Sequence, residues 1–243
     1  MWQTNCFNAT VTSYSPLSVS TTMKIGPLPR LSRFTAAALL AFSATAQAIP
    51  ERASDDPKAL LARLQSNTGG AVFSASLPEQ FYRAVHSVGR EPLLIDNSSA
   101  DAEERAKFFL SVYGSLFGVK DPVAELRTQR VSRDATGNTH VHLEQWHGGL
   151  PVFGSRLVVH MNAEGIIGGN GVFANDLDGL PTKAQLSEER LKTAALANVR
   201  KHYPKASGLR VESTRLMYYR TGLLKGVPGR SYLAYEVTVR GGD

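Results

Sequence analysis

Between residues 125 and 173 four strand-length runs follow one another with only short breaks, and this pattern leaves few folds open. The runs cover residues 125–132, 139–146, 152–162 and 165–173. The breaks are Asp134-Ala135-Thr136-Gly137-Asn138, then His147-Gly148-Gly149-Leu150-Pro151, then Asn162-Ala163-Glu164-Gly165. Parallel strands need a crossover of a dozen or more residues, whereas short loops rich in Gly, Asn and Asp build hairpins. The expectation is an antiparallel meander.

A helix is expected on each side of it. Before the meander, Asp101 and its neighbours Ser98 and Ser99 can cap free backbone N–H groups, and Glu103 and Glu104 suit the positive helix end. Ala102, Ala106, Phe109, Leu110 and Tyr113 then recur at helical spacing on one face, with Gly114 or Gly118 to end the helix. After the meander, Ser187 precedes a second periodic stretch with a stripe of Leu191, Ala194, Ala195 and Val199, stopped by Pro204. Two more strands are expected at 209–219 and 231–240, the latter with an unpaired outer edge over 232–240. The fold class is therefore α+β: two small units of antiparallel sheet, each packed on a helix, covering 98–175 and 182–243 and meeting near 175–181.

The N-terminal 97 residues read differently. Residues 1–48 hold Lys24, Arg30 and Arg33 but no acid, then an apolar run over 34–42, then Ala46-Gln47-Ala48. A basic region, a brief apolar helix and a small-x-small exit make a secretory signal peptide, with cleavage expected after Ala48 and translation expected from Met23. The apolar run is short of the ~20 residues that span a bilayer, so no membrane association is expected once the leader is cut. Residues 49–97 read as a linker or irregular segment, with a helical turn or two at Leu60, Leu61 and Leu64, and with 77–95 open between short strands and loop.

Charge and chemistry narrow the function. The leader carries 3 of 27 basic residues and none of 21 acidic ones, so the remainder holds 24 against 21, a net of +3 with no basic run, and a nucleic-acid partner is not expected. The one cysteine, Cys6, lies in the leader, so the exported chain has no disulfide to form. None of the six histidines is followed by Glu, which excludes the HExxH zinc helix from this sequence. His140 and His142 leave the same face of one strand, and His160 on its neighbour could join them in a three-imidazole metal site. The plainer reading gives that face to ordinary polar residues while Val141 and Leu143 fill the core side. The glycines of 165–171 lack the strand-to-helix context of a phosphate loop and read as strand and turn glycine.

The densest constellation is the hairpin His140-Val141-His142-Leu143-Glu144-Gln145-Trp146-His147-Gly148-Gly149-Leu150-Pro151-Val152-Phe153-Gly154. It resembles the fungalysin/thermolysin propeptide motif, which His140, Gln145, Gly149, Leu150, Pro151, Val152 and Gly154 match. His142 stands where the family has Arg, and His147 where it has Tyr. Phe109, Tyr113, Leu116, Phe117 and Gly118 are similar to the helix preceding that motif, and 186–237 resembles a truncated PepSY domain.

The resemblance implies a secreted, extracellular or periplasmic, non-catalytic pro-region of a thermolysin-like zinc metalloendopeptidase. It would act in cis as intramolecular chaperone and inhibitor of a protease domain that this sequence does not contain. It further implies no cofactor in this segment, zinc and calcium belonging to the catalytic domain. Partner contact is expected from His140, Gln145, Gly149, Pro151, Val152, Phe153 and Gly154. A stand-alone secreted PepSY-type binding or inhibitor protein, and a zinc enzyme on the three histidines, are the alternatives.

Overall fold

In the computed structural model, residues 11–14, 18–24, 56–68, 70–75, 81–88, 91–95 and 101–242 are described. The meander forms as its turns dictate. Strands β6 (Leu126–Arg133), β7 (Thr139–His147), β8 (Leu150–Met161) and β9 (Gly165–Val172) pair antiparallel in chain order. In the first turn, Asp134 Oδ1 accepts from the backbone N–H of Thr136 and of Asn138; in the last, Asn162 Oδ1 accepts from those of Glu164 and Gly165. Short polar side chains thus satisfy the backbone groups that a reversal leaves free.

The chain before the meander completes the same sheet. The segment 49–97, expected to be a linker with a helical turn or two and left open between strand and loop over 77–95, contains the three-turn helix α1 (Pro57–Asn67) and strands β3 (Ala71–Ala75), β4 (Tyr82–Ser87) and β5 (Leu94–Ile95). β4 pairs with β9 and with β3, and β5 pairs with the start of β9. These strands are too short to show a period, and their order comes from a long-range ladder. Helix α1 is capped by Asp56, starts on Pro57 and buries Leu60 and Leu64.

Helix α2 (Ala102–Tyr113) is capped by Asp101, whose side chain accepts from the N–H of Glu104. It buries Ala106, Phe109, Leu110 and Tyr113, each large apolar side chain contributing roughly 1.5–3 kcal/mol. A 3-10 turn (Gly114–Phe117) follows, closed by Gly118 in the left-handed region (φ 85°). The short helix α3 (Pro122–Glu125) leads into β6. Together α1, α2 and the 3-10 turn cover one face of the sheet, where Val141, Leu143, Val159 and Ile166 are fully buried. The glycines of β9 are strand glycines: a Cβ at Gly169 would sit 3.1 Å from the Phe117 ring.

Helix α4 (Glu188–His202) packs on β10 (Ser207–Arg220) and β11 (Ser231–Gly242) through Leu191, Ala195, Val199, Val237 and Val239. Two expectations need correction. The two units do not have separate sheets: β8 pairs parallel with β10 at Val152 and Tyr218, which joins all strands into one mixed sheet. The outer edge of β11 is not unpaired, since β2 (Ser18–Lys24) runs antiparallel along Ala234 to Arg240, with β1 (Val11–Tyr14) beyond it. The apolar run of the leader, with Ala46 and Ala48, lies outside the described residues. No helix among the described residues is long and apolar enough to cross a membrane.

Candidate functional site

The hairpin of residues 145–154 lies where the two halves of the sheet meet. Gln145 points inward from β7 and is 2% exposed. Its Nε2 donates to the Ala174 carbonyl (2.6 Å), while its Oε1 accepts from the Ala174 N–H (2.9 Å) and from Ser155 Oγ (2.6 Å). One buried amide thereby fixes the chain as it leaves β9. Every polar group of that amide has a partner, which burial of a polar side chain requires.

The turn itself serves close approach. Gly148 (φ 53°) and Gly149 (φ 81°) occupy the left-handed region that glycine adopts without strain. A Cβ on Gly148 would fall 2.9 Å from Thr182 Cγ2, and one on Gly154 (φ 76°) would fall 2.9 Å from Leu224 Cδ2. Pro151 pairs opposite Trp146 at the start of β8 and is buried, as is Val152. Phe153 packs its ring against Tyr219 (5.8 Å between centroids), and His147 meets Tyr218 edge-on (5.5 Å).

A third apolar core sits beneath this joint, made of Phe81, Val152, Ala174, Leu177, Tyr218, Leu223 and Leu233. Arg220 is buried at its rim. Its Nε lies 3.1 Å from Asp176 Oδ2, and its guanidinium stacks 4.2 Å over the Phe81 ring. Arg215 of β10 reaches Glu144 of β7 at 3.3 Å. Sequence reasoning singled out none of Phe81, Asp176, Tyr218 or Arg220. No local pattern marks them, because each matters only through a partner distant in the chain.

The proposed metal ligands do not gather. His140 and His160 face each other across β7 and β8, Nδ1 to Nδ1 at 2.7 Å, but His142 turns away to Ser132 Oγ (3.0 Å). Among the described residues no group of three or more His, Cys, Asp or Glu side chains could hold a metal ion. The three-imidazole site is therefore not formed.

Residues 124–168, which run from α3 through the first half of β9, match the model of the fungalysin/thermolysin propeptide motif. The chain carries that propeptide motif. It is also 32% identical over 114 residues to a thermostable neutral protease of Geobacillus stearothermophilus. That similarity takes in 44% of this chain and 19% of the protease, so the chain spans about a fifth of its relative's length. The propeptide motif thus coincides with the meander, and its matched positions have structural duties: Gln145 ties β7 to residue 174, the glycines admit the second half of the chain, and Val152 makes the pair that merges the sheets.

Proposed function

We propose that this chain is the pro-region of a secreted thermolysin-like zinc metalloendopeptidase, which assists folding of the protease domain in cis and inhibits it until proteolysis. The observation that carries this reading is the propeptide motif over 124–168, whose matched hairpin forms the joint between the two halves of the sheet. The physical logic is that a protease with a high unfolding barrier also folds slowly unaided, and a rigid template that binds its folding transition state accelerates assembly. Retained on the folded enzyme, the same surface covers the cleft.

The contact surface we assign is the outer side of the motif hairpin, where Phe153 is half-buried and the neighbouring Leu224 is 65% exposed. Cleavage after Ala48 would also withdraw β2 and bare the edge from Ala234 to Arg240 for a strand of the partner.

The test adds the purified chain to the Geobacillus stearothermophilus neutral protease freed of its own pro-region. Slowed peptide hydrolysis at micromolar chain, weakened by Phe153→Ala, is the expected outcome. Full protease activity throughout the micromolar range, with no gain in refolding yield, would refute the proposal.

A further inference from the structure

Four of the six histidines converge on the open face of the sheet, opposite the α1 and α2 layer. The register sets His86 of β4, Gly168 of β9, His160 of β8, His140 of β7 and Ser132 of β6 in one row across five strands. Residues directly opposite one another share a face, and Gly168, where a Cβ would fall 3.4 Å from His86 Cβ, sets no side chain between His86 and His160. The next row on that face holds Asn170, Val158, His142 and Arg130.

Two of these rings are bonded in a chain that counts protons. His140 Nε2 lies 3.0 Å from Asp134 Oδ2, His140 Nδ1 lies 2.7 Å from His160 Nδ1, and His160 Nε2 lies 2.5 Å from Asn170 Oδ1. Asp134 can only accept, so His140 Nε2 carries a hydrogen. Between the two Nδ1 atoms there is room for one hydrogen and no more. At the far end, Asn170 accepts from His160 Nε2–H, or donates to it with the amide reversed. The four nitrogens therefore tolerate two or three hydrogens. A fourth sets two N–H groups head to head between two positive rings.

We infer that this face is a proton-sensitive switch, in which the ring-to-ring bond of His140 and His160 helps to clamp β7, β8 and β9 together near neutrality, while the four nitrogens carry two or three hydrogens, and is broken in mild acid by the proton that adds a fourth. The surroundings sharpen it. Arg130 of β6 and Arg156 of β8 already crowd the face, and His86, His142 and His160 can add positive charge. Asp134 and Glu144 are the acids facing it, Glu144 being engaged by Arg215, and Arg127, Arg156 and Tyr82 share the row of Glu144. Hydrogen bonds, first from Thr136, hold Asp134 far below the usual carboxylate range, so its charge is constant while the histidines titrate.

The direction of the pH effect follows from linkage. Burial pushes His160 below its ordinary value of 6.5, with the His140 charge adding to the shift. The unfolded chain then binds more protons than the folded one below 6.5, and stability falls as acid is added, until His160 itself protonates. In that window one such group raises the unfolding constant up to about tenfold per pH unit.

The experiment is urea unfolding of the full chain from neutral to mildly acid pH, for wild type, His160→Gln and His86→Gln, with NMR titration of the wild-type imidazoles. Expected is a falling wild-type stability whose slope is reduced in His160→Gln and kept in His86→Gln, with the His160 ring titrating below 6.5. Equal slopes in wild type and His160→Gln, or a His160 ring that titrates at or above 6.5, would overturn the inference, and the NMR reading needs no variant to fold. These readouts concern the chain's own stability and do not depend on whether it inhibits a protease.

Discussion

Replacing Gln145 with leucine removes three hydrogen bonds from the joint while keeping the side chain's size. The Ala174 N–H and C=O lose their partner at a buried site, Gln145 being 2% and Ala174 1% exposed; Ser155 keeps its bond to the Val172 carbonyl at 2.7 Å. Each orphaned buried group costs about 1–3 kcal/mol, and the extra apolar burial of leucine returns part of that, so the net loss is about 2–4 kcal/mol. Against a usual total of about 5–15 kcal/mol this is large. With a urea m-value of about 1–3 kcal/mol per molar, the midpoint followed by circular dichroism should fall by about 1–2 M. Gln145→Glu separates hydrogen bonding from packing: its carboxylate can still accept but cannot donate to Ala174, so the variant should be destabilised at neutral pH and recover partly on acidification. A leucine variant with an unchanged midpoint would show that the amide does not tie the joint.

Two further substitutions test the elements around it. Gly154→Ala forces a side chain into a backbone at φ 76° and against Leu224, at a cost of about 1–3 kcal/mol. Adding Leu224→Ala should return the steric share and leave the backbone share, as thermal melts of the single and double variants would reveal; no recovery in the double variant contradicts the contact. Asp101→Ala deletes the 2.8 Å cap on the Glu104 N–H and should cost about 1 kcal/mol, whereas Asp101→Asn should keep most of that stability in the same melts.

The parts of the site that could be read early are those with local causes. The hairpin turns were visible because Asp134 and Asn162 satisfy their own neighbouring backbone, and the left-handed glycines at 148, 149 and 154 were visible as glycines. What each admits was not visible: Thr182 and Leu224 arrive from far along the chain. The facing histidines were expected to share a side of the sheet, but the register decided that His160 meets His140, and a diagonal hydrogen bond turns His142 to Ser132.

By itself the sequence determined the four-stranded meander, helix α2 with its Asp101 cap, the buried stripes of α2 and α4, and the absence of an HExxH helix, whereas Ser187 stands before α4 without a side-chain capping bond. These follow from periodicity and turn chemistry, which act over a few residues. Tertiary structure alone decided that β3 and β4 extend the sheet, that β8 and β10 fuse its two halves at Val152 and Tyr218, and that Arg220 is buried over Phe81 beside Asp176. Those outcomes depend on ladder pairing and desolvation between segments tens of residues apart, and such energies leave no mark on the local order of side chains.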